Sequence, residues 1–389
     1  MKNPLKNKLK NVDYPLLLVY VFLLVFGLIM VYSSSMDKAI SNNKPYDFYF
    51  NRQRNSMIVA FLAFTIMSII PYRNYVKPFY VKFGMIVVAA MYIQLKLSGL
   101  GEDIGGQRWI RLFGLFSFQP SEFLKIFIII ALASVLGARE LRLGRLELKQ
   151  IIAALTPVVI GAGLIVSEPD IGTAAIFLAI SYCILFSVRW KPKDFKLLVL
   201  GTGFLLVSIV VFLMVGGGQW LLSGNREGRL NSFLDPFMYA QTTGLQVVQS
   251  YLAFASGGLT GEGIGQSVQK LGYLPEPHTD FIIAIIAEEL GLIGAAIVIA
   301  GLGYIVLHGI KLAVRAVNPT ERFLAVGISS WIGIQAFVNI GGATGLIPLT
   351  GVTLPLMSFG GVSLLMVSTA LGILMNISIN QNSKRKKKA

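Results

Sequence analysis

The feature that most constrains this chain is a succession of apolar stretches, each close to the length of a membrane-crossing helix. They fall at about 14–32, 57–71, 81–98, 123–137, 150–167, 173–188, 197–215, 281–307, 323–342 and 361–378. A hydrocarbon core takes about 20 apolar residues per helix, and the backbone inside it must satisfy its own hydrogen bonds. Only 14% of the residues are charged, against about a quarter in soluble domains. The expected fold class is therefore an all-α polytopic integral membrane protein of about ten transmembrane helices, one domain over 1–389. The first run exceeds a signal-peptide core and lacks an A-x-A cleavage site, so it reads as a retained anchor.

Charge sets the expected orientation. If the N-terminus is cytoplasmic, inner segments hold 23 Lys and Arg and outer segments 10, with Lys125 inside a span. Cytoplasmic loops collect basic residues, so both termini are expected inside. The net charge of +15 would suggest nucleic acid in a soluble protein. Here membrane topology accounts for it, and no nucleic-acid partner is expected. The tail, 379–389, ends in five basic residues before Ala389 and reads as an anchor at anionic membrane lipid. Outer connections are expected at 99–122 and, as a large extracellular loop between helices 7 and 8, at 216–280. A third, at 343–360, is apolar yet broken by Pro348, Pro355 and several glycines. Such backbone at membrane depth must be buried in protein or line a cavity, so it reads as a re-entrant loop. One cysteine, Cys183, and two histidines, His278 and His308, exclude an intramolecular disulfide, a cysteine metal cluster and a histidine-rich site. No clear internal repeat is present, which disfavours an inverted-repeat transporter.

Ionisable residues inside spans are costly and mark function by default. Glu122 and Lys125 are three apart on one helix face, either neutralising each other or facing a ligand together with Arg108, Trp109 and Arg111 upstream. Asp170 reads as a helix cap or as a site group. Arg226 and Arg229 lie among glycines, as a phosphate-binding pair or as solvated charges. The glycine-rich stretch 257–265 lacks the G-K-S/T ending of a nucleotide loop, so it is expected to be a compact turn that allows close backbone approach to a ligand. Pro275 and Pro277 stiffen the approach to Asp280, which reads as a helix N-cap or as a carboxylate whose pKa desolvation raises toward base strength. Glu276 is the next candidate base. Glu288 and Glu289, buried further along, imply partners such as Lys125 or an internal polar cavity.

Several of these pieces, in order, resemble the SEDS family of bacterial cell-envelope proteins, the FtsW/RodA/SpoVE group. They are Tyr32 to Ser35; Arg108-Trp109-Ile110 with Gln119 to Glu122; Glu168 to Thr173; Gln246 to Gly258; Leu274 to Phe281 with Glu288 to Gly291; and Gln335 to Gly361. Val31 to Met36, Phe50 to Gln53 and the Leu274 to Asp280 form of the motif are most similar to the division branch of Gram-positive bacteria, with the elongation branch as alternative. Thr350 stands where some relatives carry Lys.

The resemblance implies a peptidoglycan glycosyltransferase that polymerises lipid II outside the cytoplasmic membrane, at the division septum. It also implies that Asp280 is catalytic. The leaving pyrophosphate needs cationic groups, for which Arg108, Arg111, Lys125, Arg226 and Arg229 are the candidates, and Trp109, Glu276, His278 and Ser358 are further expected substrate contacts. The resemblance further implies a class B penicillin-binding protein and other division proteins as partners. No sequence motif demands a cofactor, and a divalent cation, Mg2+ or Mn2+, is the candidate to share the pyrophosphate charge. A lipid II flippase and a structural scaffold are the readings from other classes.

Overall fold

A computed structural model describes residues 10–97, 109–112, 116–168, 170–212 and 225–386. Each of the ten predicted apolar runs falls on a helix. In chain order the elements are α1 (Tyr14–Ser41), α2 (Phe48–Ile69), the single turn α3 (Tyr72–Tyr75), α4 (Pro78–Leu97), β1 (Ile110–Leu112) and β2 (Phe116–Phe118). They continue as α5 (Pro120–Leu143), α6 (Leu148–Val166), α7 (Ile171–Phe186), α8 (Pro192–Phe212), α9 (Asn225–Leu234) and α10 (Leu245–Gly257). The last three are α11 (Ile282–Arg315), α12 (Pro319–Ala343) and α13 (Gly361–Lys386). Among the described residues six helices, α1, α4, α5, α11, α12 and α13, are long and apolar enough to cross a membrane. The chain is a multi-pass membrane protein.

Local chemistry sets several helix starts. Asp13 caps α1 by accepting from Leu16 N, with Pro15 in the first turn. Asn318 caps α12 by accepting from Thr320 N at 2.9 Å, followed by Pro319. Asp170 caps α7 through Thr173 N at 3.0 Å, so one of its two expected roles is realised.

α12 runs through the centre, packed against α5, α7, α11 and α13, with Trp331 fully buried. α13 lies along α2, and its apolar window is 78% buried, whereas that of α4 is 22% buried and faces outward.

Two of the expected outer connections carry structure of their own within this helical fold. The 99–122 connection holds a short antiparallel ribbon, β1 with β2. The 216–280 connection contains α9 and α10. In α10, Val247, Ser250, Ala253 and Gly257 are buried at helical spacing, which places one face of that segment against α11.

The glycine-rich stretch approaches the chain's own backbone. Gly291, at φ 67° and ψ −167°, breaks α11 and leaves backbone groups on both sides without helical partners. Glu262 N and Gly263 N donate to Glu288 O and Glu289 O at 2.9 and 3.0 Å. In return Leu292 N and Ile293 N donate to Gly258 O and Leu259 O at 3.0 and 3.3 Å. A Cβ at Gly257 would strike Ala287 O, and one at Gly261 would strike Glu289 O. The stretch straps a broken helix.

Candidate functional site

The segment from Pro275 to Phe281 is fixed mostly through its backbone. Lys38, near the end of α1, donates to Pro275 O at 2.9 Å and lies 3.7 Å from the Glu276 carboxylate. Ser358 Oγ donates to Thr279 O at 2.6 Å and accepts from Leu354 N at 2.8 Å. Asn339 Nδ2 donates to both Asp280 O (2.8 Å) and Val352 O (2.7 Å), tying the segment to the connection after α12. His278 is buried against Tyr49 and Phe359, ring centroids 4.6 and 5.5 Å away, and its carbonyl accepts from Phe359 N at 2.8 Å. Burial and the nearby Lys38 charge push the His278 pKa down to about 4, so the ring is neutral near pH 7.

These bonds leave the Asp280 side chain for other work. Phe281, not Asp280, occupies the N-cap of α11, so the capping alternative for Asp280 is set aside. A Cβ at Gly351, whose φ is +76°, would stand 3.5 Å from Asp280 Oδ2 and 3.9 Å from Arg229 Nη2. The absence of a side chain there leaves the carboxylate and the guanidinium facing one space. Arg229 Nη1 also donates to Thr350 O at 3.4 Å. A Cβ at Gly172 would lie 2.8 Å from the Thr350 Cβ, which brings the start of α7 and Asp170 alongside. Burial, chiefly, and then the Glu276 charge raise the Asp280 pKa to about 6; Arg229 lowers it and Asp170 raises it. A cavity of about 310 Å³ adjoins Arg229, bordered also by Phe233, Gln246, Pro275 and Leu349.

The remaining expected contacts are scattered. Lys125 is fully enclosed, 2.7 Å from Glu122 Oε1 and 2.8 Å from Gln335 Oε1, with the Trp331 ring beneath it at 5.2 Å. Its expected roles as substrate contact and as partner of Glu288 or Glu289 are corrected, because its donors are spent inside the bundle. Through Gln335 Nε2, which donates to Thr353 O at 3.0 Å, the pair braces the connection carrying Thr350 and Gly351. Ser358 likewise spends its hydroxyl on backbone. Trp109 is half-buried just before β1, and Arg111 lies in β1 opposite Ser117. Arg226 lies in the first turn of α9, one turn before Arg229. Arg108 lies outside the described residues.

Sequence reasoning missed the partners of the buried glutamates. Glu289 Oε1 accepts from Ser33 Oγ (2.6 Å) and Lys270 Nζ (2.7 Å). Glu288 accepts from Ser267 Oγ, from Val268 N at 2.8 Å and from Gln269 N. The available signal was the serine cluster Ser33 to Ser35 just past the first apolar run and a single Lys in the 257–280 stretch. Among the described residues no group of three or more His, Cys, Asp or Glu side chains is placed to hold a metal ion. Among the described residues the cationic side chain beside Asp280 is Arg229.

A family model described as a cell cycle protein, for FtsW, RodA and SpoVE, matches residues 14–383. The chain belongs to the FtsW/RodA/SpoVE family. Among its relatives in that family is "Probable peptidoglycan glycosyltransferase FtsW" of Bacillus subtilis (strain 168), 41% identical over 98% of this chain and 95% of that one. "Stage V sporulation protein E" of the same organism is 35% identical over 94% of this chain and 96% of that protein. The family fold is also seen in solved structures. One, described as "Structural coordination of polymerization and crosslinking by a peptidoglycan synthase complex", has a TM-score of 0.70 at 22% identity and covers 95% of this chain and 98% of its own. Thermus thermophilus RodA gives 0.64 at 22% identity, over 95% of this chain and 97% of its own.

Proposed function

We propose that this chain is a peptidoglycan glycosyltransferase that polymerises lipid II at the outer face of the cytoplasmic membrane during septal wall synthesis. Asp280 is the general base. The acceptor sugar's 4-hydroxyl gives its proton to the carboxylate as its oxygen bonds to the donor's anomeric carbon. The bond from that carbon to the pyrophosphate oxygen breaks, and undecaprenyl pyrophosphate leaves with the electron pair. A base with a pKa near 6 is ionised at neutral pH yet basic enough to assist, a contribution of about 10²–10⁴ in rate. Arg229 meets developing pyrophosphate charge. Arg108, Arg111 and Arg226 are the further candidates for that role.

The observation that carries this reading is the free carboxylate of Asp280 facing Arg229 across Gly351, on a segment held rigidly by Asn339 and Ser358. The naming of relatives as peptidoglycan glycosyltransferases supports the reaction class. A flippase needs polar groups along a full transmembrane path and is not favoured. The chain then crosses the membrane ten times with both termini cytoplasmic. Its product is uncrosslinked glycan, so its partner is a class B penicillin-binding protein. The test is polymerisation of lipid II by purified wild type and Asp280→Asn. The variant is expected to lose at least about 10² in rate while still binding lipid II. Near-normal glycan synthesis by a folded variant would remove Asp280 as base.

A further inference from the structure

A second cavity, of about 610 Å³, lies at the opposite end of the bundle, where α1 and α12 begin and α11 and α13 end. Its acids are already engaged. Asp13 Oδ2 accepts from Ser378 Oγ at 2.6 Å and lies 2.8 Å from His308 Nε2. Glu321 Oε1 accepts from Tyr72 Oη, Asn380 Nδ2 and Lys384 Nζ at 2.9, 2.8 and 3.1 Å. Arg315 and Arg385 also line the cavity, both exposed, and neither has an ion-pair partner among the described residues. The proposed reaction, at the far end of α1, uses neither.

Cations in the last turn of a helix complement its dipole, and that alone would justify Arg315 and Arg385 individually. It does not account for two arginines, at the ends of different helices, lining one hollow whose acids are spoken for. The neighbouring face of α11 adds a second observation. Leu307, Ile310 and Val314, spaced three and four apart, are 68%, 46% and 81% exposed and form an apolar stripe that ends beside Arg315. Val317, 87% exposed, continues it into the cavity lining. The hollow suits an anion, and the stripe suits hydrocarbon attached to it.

We propose that this cavity binds the phosphate of an anionic glycerophospholipid, with Arg315 and Arg385 pairing with the phosphate oxygens and an acyl chain lying along the α11 stripe. Guanidinium groups match phosphate bidentately, and basic pockets between membrane helices are suited to such headgroups. The stripe selects a lipid over free phosphate, which has nothing to place there.

The experiment counts lipids retained by the purified full chain in native mass spectrometry, with phosphatidylglycerol or phosphatidylcholine supplied. Arg315→Gln/Arg385→Gln is expected to weaken phosphatidylglycerol binding roughly thirtyfold, about fivefold per cation, and phosphatidylcholine binding, where the choline cation offsets the same phosphate charge, by much less. Arg145→Gln, an exposed cation between α5 and α6 outside the cavity, is the control and is expected to change binding less than twofold. Unchanged phosphatidylglycerol binding in the double variant would overturn the site. Displacement of the lipid by inorganic phosphate as effectively as by phosphatidylglycerol would overturn the lipid assignment. If the double variant melts below wild type, Arg385→Gln alone supplies the test: about fivefold weakening supports the site and no change overturns it.

Discussion

At the scale of one residue, the Asp280 carboxyl is held between opposing influences. Burial and the Glu276 charge favour its protonated form, and Arg229 favours the ionised one. A base works as the carboxylate, so polymerisation should rise with pH through about 6 and level off above it. Arg229→Gln removes an influence that lowers the pKa and is expected to move that limb to higher pH. Glu276→Gln removes one that raises it and is expected to move the limb lower. Both are read from kcat/KM against pH in the free enzyme. The same shift carries a stability sign. The folded pKa lies above the ordinary value of 3.8, so the folded state holds the proton more tightly than the unfolded chain. The resulting stabilisation is complete below about 3.8 and is lost as pH rises through about 6. At neutral pH the ionised carboxylate therefore costs stability. Asp280→Asn is expected to melt no lower than wild type while losing activity, and a large drop in Tm would mean the carboxylate is structural.

At the scale of the element, the strap over the break in α11 separates two effects of glycine. Gly265, at φ +85°, has no atom within 4 Å of a built Cβ, so Gly265→Ala meets only backbone strain of about 1–2 kcal/mol. Gly261, at φ +81°, would in addition drive a Cβ into the backbone around Glu289 and Leu290. It also displaces the strap bonds of Glu262 and Gly263. Gly261→Ala is expected to lower the melting temperature clearly more than Gly265→Ala, and equal melting would mean the strap can lift without cost. The buried pair beneath gives a companion prediction. Lys270→Met leaves Glu289 charged and buried, at about 3–5 kcal/mol, whereas Lys270→Met/Glu289→Met is expected to recover much of that loss in the same melts. The sequence made the glycines legible as a site of close approach but not what they approach. The partner carbonyls lie some 25 residues on, in a helix whose break at Gly291 has no proline to announce it. The charges of Glu288 and Glu289 were legible as needing partners. Ser33 and Lys270 were hidden because pairing across such sequence distances leaves no local pattern.

At the scale of the whole molecule, the apolar runs were legible because lipid and protein interior both demand them, and each found a helix. Which helices are long and apolar enough to cross alone was less legible. α7 has 16 residues, and α2 carries Arg52 and Arg54 in its early turns. Such helices bury part of their surface against neighbours and need not read as independent spans. α1 ties the two ends of the bundle together. Asp13 at its start meets Ser378 and His308, and Lys38 near its end holds Pro275 beside Asp280. Its 28 residues rise about 42 Å, more than the roughly 30 Å of a hydrocarbon core. The first and last described residues and the Asp280 site therefore lie at opposite ends of a helix long enough to cross, and the lipid cavity sits at the end away from Asp280. Under the proposed ten-span topology, the excess of Lys and Arg on the segments grouped with the termini, 23 against 10, is what would orient that end toward the cytoplasm. A reporter fused after Lys388 is expected to read as cytoplasmic and one inserted after Gly218 as extracellular. The same reading at both positions would overturn the topology, and a cytoplasmic reading after Gly218 would in addition place Asp280 on the wrong side of the membrane for exported lipid II, so that the proposed chemistry would have to be abandoned with it.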